Sequence, residues 1–458
     1  MKNLSLYNIA EVCDGRMLKI EDESVIVTDV VIDSRKVTPG CLFVAIKGNR
    51  VDGHDFIDQA IRDGAVAVIS ENKLRTGQPH IWVDSSLQAL KDIANYYMME
   101  MSCKVVGITG SVGKTTTKEM IASVLSEKYK VLKTEGNFNN EIGLPLTVFR
   151  IREEHEIAVL EMGISDFGEM KRLSRIAKPD VCVFTNIGQC HLENLYDRNG
   201  ILKAKTEMLM YMKPDGKIVL NGDDDKLASV REYNGIIPIT YGIDDEKCSY
   251  TADEIVQNGL SGIHCTVHCQ DGRNIPLEIH VPGRHMIYNA LAATAVGEIF
   301  GLTDEEIASG IAKFVPVTGR NHTIEANNMT VIDDCYNANP VSMKASLDVL
   351  AMSKQEERKD GRRVAILGDM LELGNNEGLF HREIGDYLVR KNLELAVLVG
   401  PRMKEAYDEA KSFVKCMYFD TTQDVMDHLR EIVREGDTVL VKASNGMKFA
   451  QIVEELTK

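Results

Sequence analysis

Positive charge is in short supply here: 53 lysines and arginines stand against 69 aspartates and glutamates, a formal net charge of -16. A general nucleic-acid binder must neutralise phosphates with clustered Lys and Arg, so that class is excluded and any anionic ligand has to be met locally. Cys-x-x-Cys pairs are also missing. The ten cysteines are scattered, and Cys41, Cys182 and Cys335 lie in apolar runs where a free thiol packs as a small hydrophobe, which fits a reducing compartment. Met1 to Ile20 carries charges throughout and no continuous apolar core. Neither a signal peptide nor a membrane anchor is therefore expected, and the expected location is the cytoplasm. Low-complexity tracts and internal repeats are absent.

What is present is enough chain for roughly three domains, since 458 residues exceed one ordinary core. The organising stretch is Lys104-Val105-Val106-Gly107-Ile108-Thr109-Gly110-Ser111-Val112-Gly113-Lys114-Thr115-Thr116-Thr117-Lys118. A β-branched run meets a glycine-rich turn, and the turn feeds a segment whose Met120, Ile121, Val124 and Leu125 recur at helical spacing. Strand, phosphate loop and helix follow from that pattern. Backbone N–H groups of Gly110, Ser111, Val112, Gly113, Lys114, Thr115 and Thr116, with the positive end of the helix, make a polyphosphate site. Lys114 is expected to reach the outer phosphates and Thr115 to offer its hydroxyl to Mg²⁺. The position five before Gly113 is Ile108, and the extra glycine falls at Gly110.

Residues 1–100 read as a small α/β domain with strands at Ser24 to Val27, Cys41 to Ile46, Ala65 to Ile69 and Ile81 to Val83, and a helical stretch at Asp55 to Asp63. Its polar islands, Asp33-Ser34-Arg35 and Lys47 to His54 with Lys47-Gly48-Asn49, follow strands directly, where loops carry contacts. Leu87 to Met101 reads as a linking helix. Residues 101–317 alternate strand and helix, which predicts a mostly parallel sheet with ligands at the carboxyl ends of its strands. Glu161 ends one predicted strand and is a natural second Mg²⁺ ligand beside the loop; Thr185-Asn186, leading to His191, and Asn221 to Asp224 end two others. Asn289 lies a turn beyond His285 on one helix face. Residues 318–458 repeat the alternation as a separate Rossmann-like domain, with the hinge near Pro316 to Gly319. His264-Cys265-Thr266-Val267-His268-Cys269 could be mistaken for a metal site. Alternation of Ile263, Cys265 and Val267 before Asp271-Gly272 predicts a hairpin instead, with the two histidines about 13 Å apart along the strand.

The motifs together resemble the Mur ligases. The resemblance rests on Thr109 to Lys118, Asn137-Phe138-Asn139-Asn140-Glu141-Ile142-Gly143-Leu144-Pro145, Leu160-Glu161-Met162-Gly163, Thr185-Asn186-Ile187 with His191-Leu192-Glu193, Lys203-Ala204-Lys205, Gly283-Arg284-His285 with Asn289-Ala290, and Asp333-Asp334-Cys335-Tyr336-Asn337-Ala338-Asn339-Pro340. Within the family, the last of these, Asp33-Ser34-Arg35 with Phe43 to Gly48, and Leu367 to Gly374 look like the branch that adds D-alanyl-D-alanine to UDP-N-acetylmuramoyl-tripeptide. The resemblance implies an ATP-dependent, ADP-forming ligase of peptidoglycan precursor synthesis. It also implies that Lys114 and Arg320 hold the γ-phosphate, that Thr115 and Glu161 bind one Mg²⁺, and that His191 and a carbamylated Lys205 bind a second. Without it, Lys203 to Leu209 reads as an ordinary helix surface, and Lys203 is the rival for modification.

By the same resemblance Asn289 is expected near the adenine, Asp334 at the ribose and Tyr336 beside the nucleotide. Ser34, Arg35, Lys47 and Gly48 would hold the UDP end of the substrate, and Asn139 and Asn140 its muramoyl portion. A monomer is expected. Lys442 to Met447 departs from the family's Lys-Gly-Ser-Arg form, and no role is assigned to it. Another Mur ligase, a folylpolyglutamate synthase-like ligase, or a non-catalytic nucleotide-binding homologue are the alternatives that share the core motifs.

Overall fold

The structure, a computed structural model, describes residues 1–48, 50–74, 77–353 and 361–458. Asn49, in the second polar island, lies outside them. Among the described residues the strands form three sheets, of five, nine and six strands, so the α/β, three-part reading of the sequence matches the architecture. Among the described residues no helix is long and apolar enough to cross a membrane.

The nine-stranded sheet places the phosphate loop. Lys104–Thr109 lies between Ile157–Glu161 and Val181–Phe184, parallel to both, and Val131–Lys133 pairs outside Ile157–Glu161. The chain therefore leaves Lys104–Thr109 on one side and later returns on the other, which opens a crevice at the carboxyl end of that strand. Register sets Ile108 opposite Glu161 and Thr109 opposite Phe184, so Glu161 and Thr185 flank the loop at one level. These strands are almost wholly buried, as β-branched runs covered on both faces should be. One strand is shorter than its apolar run: Ile239–Tyr241 begins after Pro238, whose missing N–H cannot join a ladder.

The predicted hairpin forms from Ile263–Cys269 and Asn274–Ile279. Cys265 and Cys269 point into the core, while His264 sits near Glu278 and His268 near Asp253, so the two histidines take different partners. Ser24 to Val27 is not a strand. Its backbone bonds run to Leu4 and Leu6 with a single bridge, Ser5 to Ile26, and the neighbouring edge strands are Val30–Val31 and Arg16–Leu18. A β-branched run fits an extended segment whether or not a sheet edge is available to it.

Helix Ser86–Glu100 begins on the Ser85 cap and buries Leu90, Ile93, Ala94 and Tyr97. One continuous apolar core runs from Leu4 and Ile81 through this helix to Val148, Leu173 and Leu227, and Tyr97 donates its hydroxyl to the Ile151 carbonyl at 2.6 Å. The six-stranded sheet instead has its own apolar cores, joined to the rest by the stretch around Pro316 to Gly319 and a few surface contacts. Helix Lys114–Leu125 is tied to the site by Lys118. Its buried ammonium donates to the Thr134 carbonyl at 2.6 Å and pairs with Glu119, and the Thr134 hydroxyl accepts the Glu161 N–H at 3.0 Å. Lys118→Met is expected to lower stability by about 1–3 kcal/mol, because the Thr134 carbonyl is left without its donor. Urea denaturation checks this, and an unchanged midpoint would show that the bond contributes nothing.

Candidate active site

A cleft of about 1000 Å³ lies where the phosphate loop, the ends of the central strands and the facing edge of the six-stranded sheet converge. Ser111, Val112, Gly113, Lys114, Thr115 and Thr116 line it, as do Asn139, Asn140, Glu161, His191, Asn289, Arg320, Asp334 and Tyr336. Lys205 lies beneath this surface, 1% exposed. Ser34, Arg35, Lys47 and Gly48 are not part of the cleft; Arg35 is held by Asp33 in an exposed turn of the first sheet.

The loop is held by its neighbours rather than by itself. Val112 accepts the Thr185 hydroxyl at 2.5 Å and the Asn186 amide at 3.1 Å, and donates its N–H to Asn186 Oδ1 at 2.9 Å. Ser111 N–H reaches the Asn186 carbonyl and its hydroxyl the Gly188 carbonyl. Gly110 has φ 152, and a Cβ there would lie 1.9 Å from Thr185 Oγ1, so a side chain would expel the hydroxyl that secures Val112. Gly113, at φ 82, opens helix Lys114–Leu125. Lys114 Nζ donates to the Gly110 carbonyl at 2.9 Å, placing the ammonium over the turn.

Thr115 Oγ1 lies 2.9 Å from Glu161 Oε2, and Asn139 Nδ2 donates to Glu161 Oε1 at 2.8 Å. A hydroxyl and a carboxylate side by side are hard oxygen donors of the kind Mg²⁺ takes. Among the described residues no group of three His, Cys, Asp or Glu could by itself hold a metal. Any ion here would therefore draw remaining ligands from phosphate, water or a modified side chain. The Lys205 ammonium has no hydrogen bond or ion pair among the described residues; burial, opposed by Cys190 and aided by Lys114, pulls its pKa down to about 8. Lys203 is exposed, with its ammonium 5.8 Å from the Phe167 ring centroid.

Across the cleft, the Arg320 guanidinium stacks on the Tyr336 ring at 4.0 Å. Asp334 accepts Asn321 N–H at 3.1 Å, Ser346 Oγ at 2.5 Å and the buried Lys442 Nζ at 2.6 Å. Asp333 accepts the Gly319 N–H at 2.8 Å, fixing the chain as it enters the last sheet. Asn289 accepts the Thr117 hydroxyl at 2.8 Å, so it is bonded to the phosphate-loop helix. Asn140 Oδ1 accepts the N–H groups of Ile142 and Gly143 where the chain enters helix Gly143–Val148. His191, at φ 50, sits with Nδ1 3.0 Å from Glu372 Oε2 on the last sheet's side, and the neighbouring imidazole holds that carboxyl below its ordinary range.

Sequence reasoning placed Thr185 and Asn186 at a strand end but gave them no task. It also gave none to Asp333, Lys442 or Glu372. For Thr185 and Asn186 the signal was a pair of side-chain donors at the level of the loop. The others depend on contacts over 100 residues or more of chain, or on the hinge.

Three family models match the chain: the Mur ligase family catalytic domain over residues 26–98, the Mur ligase middle domain over 108–297, and the Mur ligase glutamate ligase domain over 319–445. The UDP-N-acetylmuramoyl-tripeptide–D-alanyl-D-alanine ligase of Bacillus subtilis (strain 168) is 38% identical over 99% of this chain and 98% of the relative. The fold is similar to a crystal structure of MurF from Acinetobacter baumannii, with TM-score 0.91 and 29% identity over 99% of this chain and 98% of that one. It is also similar to the MurF ligase of Thermotoga maritima in complex with ADP, with TM-score 0.80 and 31% identity over 93% and 96%. The chain belongs to the Mur ligase family.

Proposed function

We propose that this chain is an ATP-dependent amide ligase that joins the terminal carboxylate of UDP-N-acetylmuramoyl-tripeptide to the amine of D-alanyl-D-alanine. Its product is the pentapeptide precursor of peptidoglycan, with ADP and phosphate released. The observation that carries this reading is the meeting, in one cleft, of a phosphate loop, the Thr115–Glu161 oxygen pair, His191 and the Arg320–Tyr336 face. Likeness over nearly the whole chain to a ligase of that activity supports it. ADP in a similar structure supports nucleotide binding here.

The tripeptide carboxylate attacks the γ-phosphorus of ATP; an O–P bond forms as the β–γ bridge breaks, giving an acyl phosphate and ADP. The dipeptide amine then attacks the acyl carbon, loses a proton and displaces phosphate. Both partners of the first step are anions, so the site must supply positive charge where they meet. Lys114 and Arg320 supply it from opposite walls; Asn186 takes the N–H groups of Ser111 and Val112, so the N–H groups from Gly113 to Thr116 at the helix N-terminus are those that cradle the phosphates. Thr115 and Glu161 would hold one Mg²⁺, and His191 with a carbamylated Lys205 a second. When bound, Mg²⁺ neutralises charge on the phosphate oxygens.

Lys205 fits modification better than Lys203. Carbamylation needs a neutral amine to attack CO₂, forming an N–C bond and shedding a proton, and a buried amine near a second cation gives one up readily. The product is an oxygen ligand, which an ammonium cannot be.

The division of labour we infer is residues 1–100 for the UDP end, through Ser34, Arg35, Lys47 and Gly48; 101–317 for ATP and the muramoyl portion, through Asn289, Asn139 and Asn140; and 318–458 for closure, with Asp334 and Tyr336 at the nucleotide. Position of the first group outside the cleft suits a long substrate whose two ends bind apart. A cytoplasmic monomer is in keeping with this role.

With ATP, Mg²⁺, UDP-N-acetylmuramoyl-tripeptide and D-alanyl-D-alanine, ADP and the pentapeptide product are expected to appear together. AMP, or ADP formation indifferent to the dipeptide, would remove the reading. At fixed dissolved CO₂, activity of CO₂-depleted protein should recover faster as pH rises through about 8, because the unprotonated fraction of Lys205 grows. Lys205→Ala should be inactive and insensitive to bicarbonate, and full activity in that variant would sink the assignment.

A further inference from the structure

The motif Leu367 to Gly374 is unaccounted for by the chemistry above, yet it supplies one residue that reaches the cleft wall. Glu372 places Oε2 3.0 Å from His191 Nδ1, across 181 residues of sequence and from the other side of the hinge. An ionised carboxylate only accepts, so the ring nitrogen facing it is the one that carries the proton. In a neutral ring that leaves the lone pair on Nε2, the form in which an imidazole binds a metal. A metal-bound histidine that donates its other N–H to a carboxylate is a recurring arrangement, and the carboxylate fixes the ring's orientation and basicity.

The backbone gives an independent indication. His191 has φ 50 and Glu372 φ 63, so both partners occupy the left-handed region that residues with a Cβ avoid. Non-glycine residues persist there where the surroundings over-determine them, commonly at functional sites. Glycine, which sits two residues on at Gly374, would be the undemanding choice at 372. The same turn is where the last sheet's body docks. A Cβ on Gly374 would lie 3.8 Å from the Glu193 nitrogen and from Leu192 Cβ, and Leu192 packs on the C-terminal core.

We propose that Glu372 is a positioning residue for His191, delivered by docking of the C-terminal body, so that closure of the hinge and metal binding at His191 favour one another. This rests on the reading of His191 as a metal ligand. By linkage, whatever strengthens one strengthens the other by the same factor.

The test is Mn²⁺ binding, followed by electron paramagnetic resonance, to the full-length protein with bicarbonate and a non-hydrolysable ATP analogue. His191→Ala should lose one ion. Glu372→Ala should weaken that same ion roughly 10–100-fold, and Glu372→Gln less, since its carbonyl still accepts the N–H. Glu372→Gly should weaken it as much as alanine does without lowering the thermal midpoint, because glycine accepts the left-handed backbone. If His191→Ala keeps both ions, the ligand reading falls. If His191→Ala loses one while Glu372→Ala and Glu372→Gly bind it as the unaltered protein does, Glu372 is only an interface residue and this proposal alone is overturned.

Discussion

A turn that aims its N–H groups at a ligand cannot also bond them to itself, so its shape has to be imposed from outside. Here the imposing element is the end of strand Val181–Phe184. Thr185 and Asn186 take up both the carbonyl and the N–H of Val112, and Asn186 takes the N–H of Ser111. Everything else at the site is measured from that clamp. Glu161 is at the matching level because its strand pairs with Lys104–Thr109 from the other side, and Asn289 reaches the loop's helix through Thr117. The glycine at 110 instead of 108 belongs to the same arrangement, since the close approach of Thr185 falls at Gly110.

Local pattern made the loop, most central strands, the hairpin and the linking helix legible, because each is decided by residues within about ten positions of one another. Ser24 to Val27 misled for the same reason: its β-branched run is extended, but membership of a sheet depends on which neighbour is free to pair. Lys205 and Lys203 are two apart on one helix and look alike in sequence; burial beside Lys114 separates them. Lys442 was set aside because its loop departs from the family's form, yet it neutralises Asp334 from the adjacent strand. Asp334 and Lys442 are separated by 108 residues, a distance over which periodicity carries no information.

The two ends of the chain are attached to the middle in different ways. The first sheet shares its apolar core with the nine-stranded sheet through helix Ser86–Glu100, and the hydrogen bond from Tyr97 to Ile151 crosses that shared interior. The last sheet closes its own cores and meets the rest through fewer side chains, His191 with Glu372 and the partly buried Leu192 and Leu260 on its core. Relative motion is the default unless an interface is large and hydrophobic. The end that carries Arg320, Asp334 and Tyr336 is therefore less firmly joined to the loop than the end that carries Ser34, Arg35, Lys47 and Gly48.

That shared interior has a bearing on how the molecule comes apart. Peeling the first sheet away would expose the apolar faces of Ile93, Tyr97, Val148 and Leu173 together, and the exposed area would carry its cost into the middle sheet. Three sheets then amount to two cooperative units. The first two sheets share one apolar core, and the last closes cores of its own.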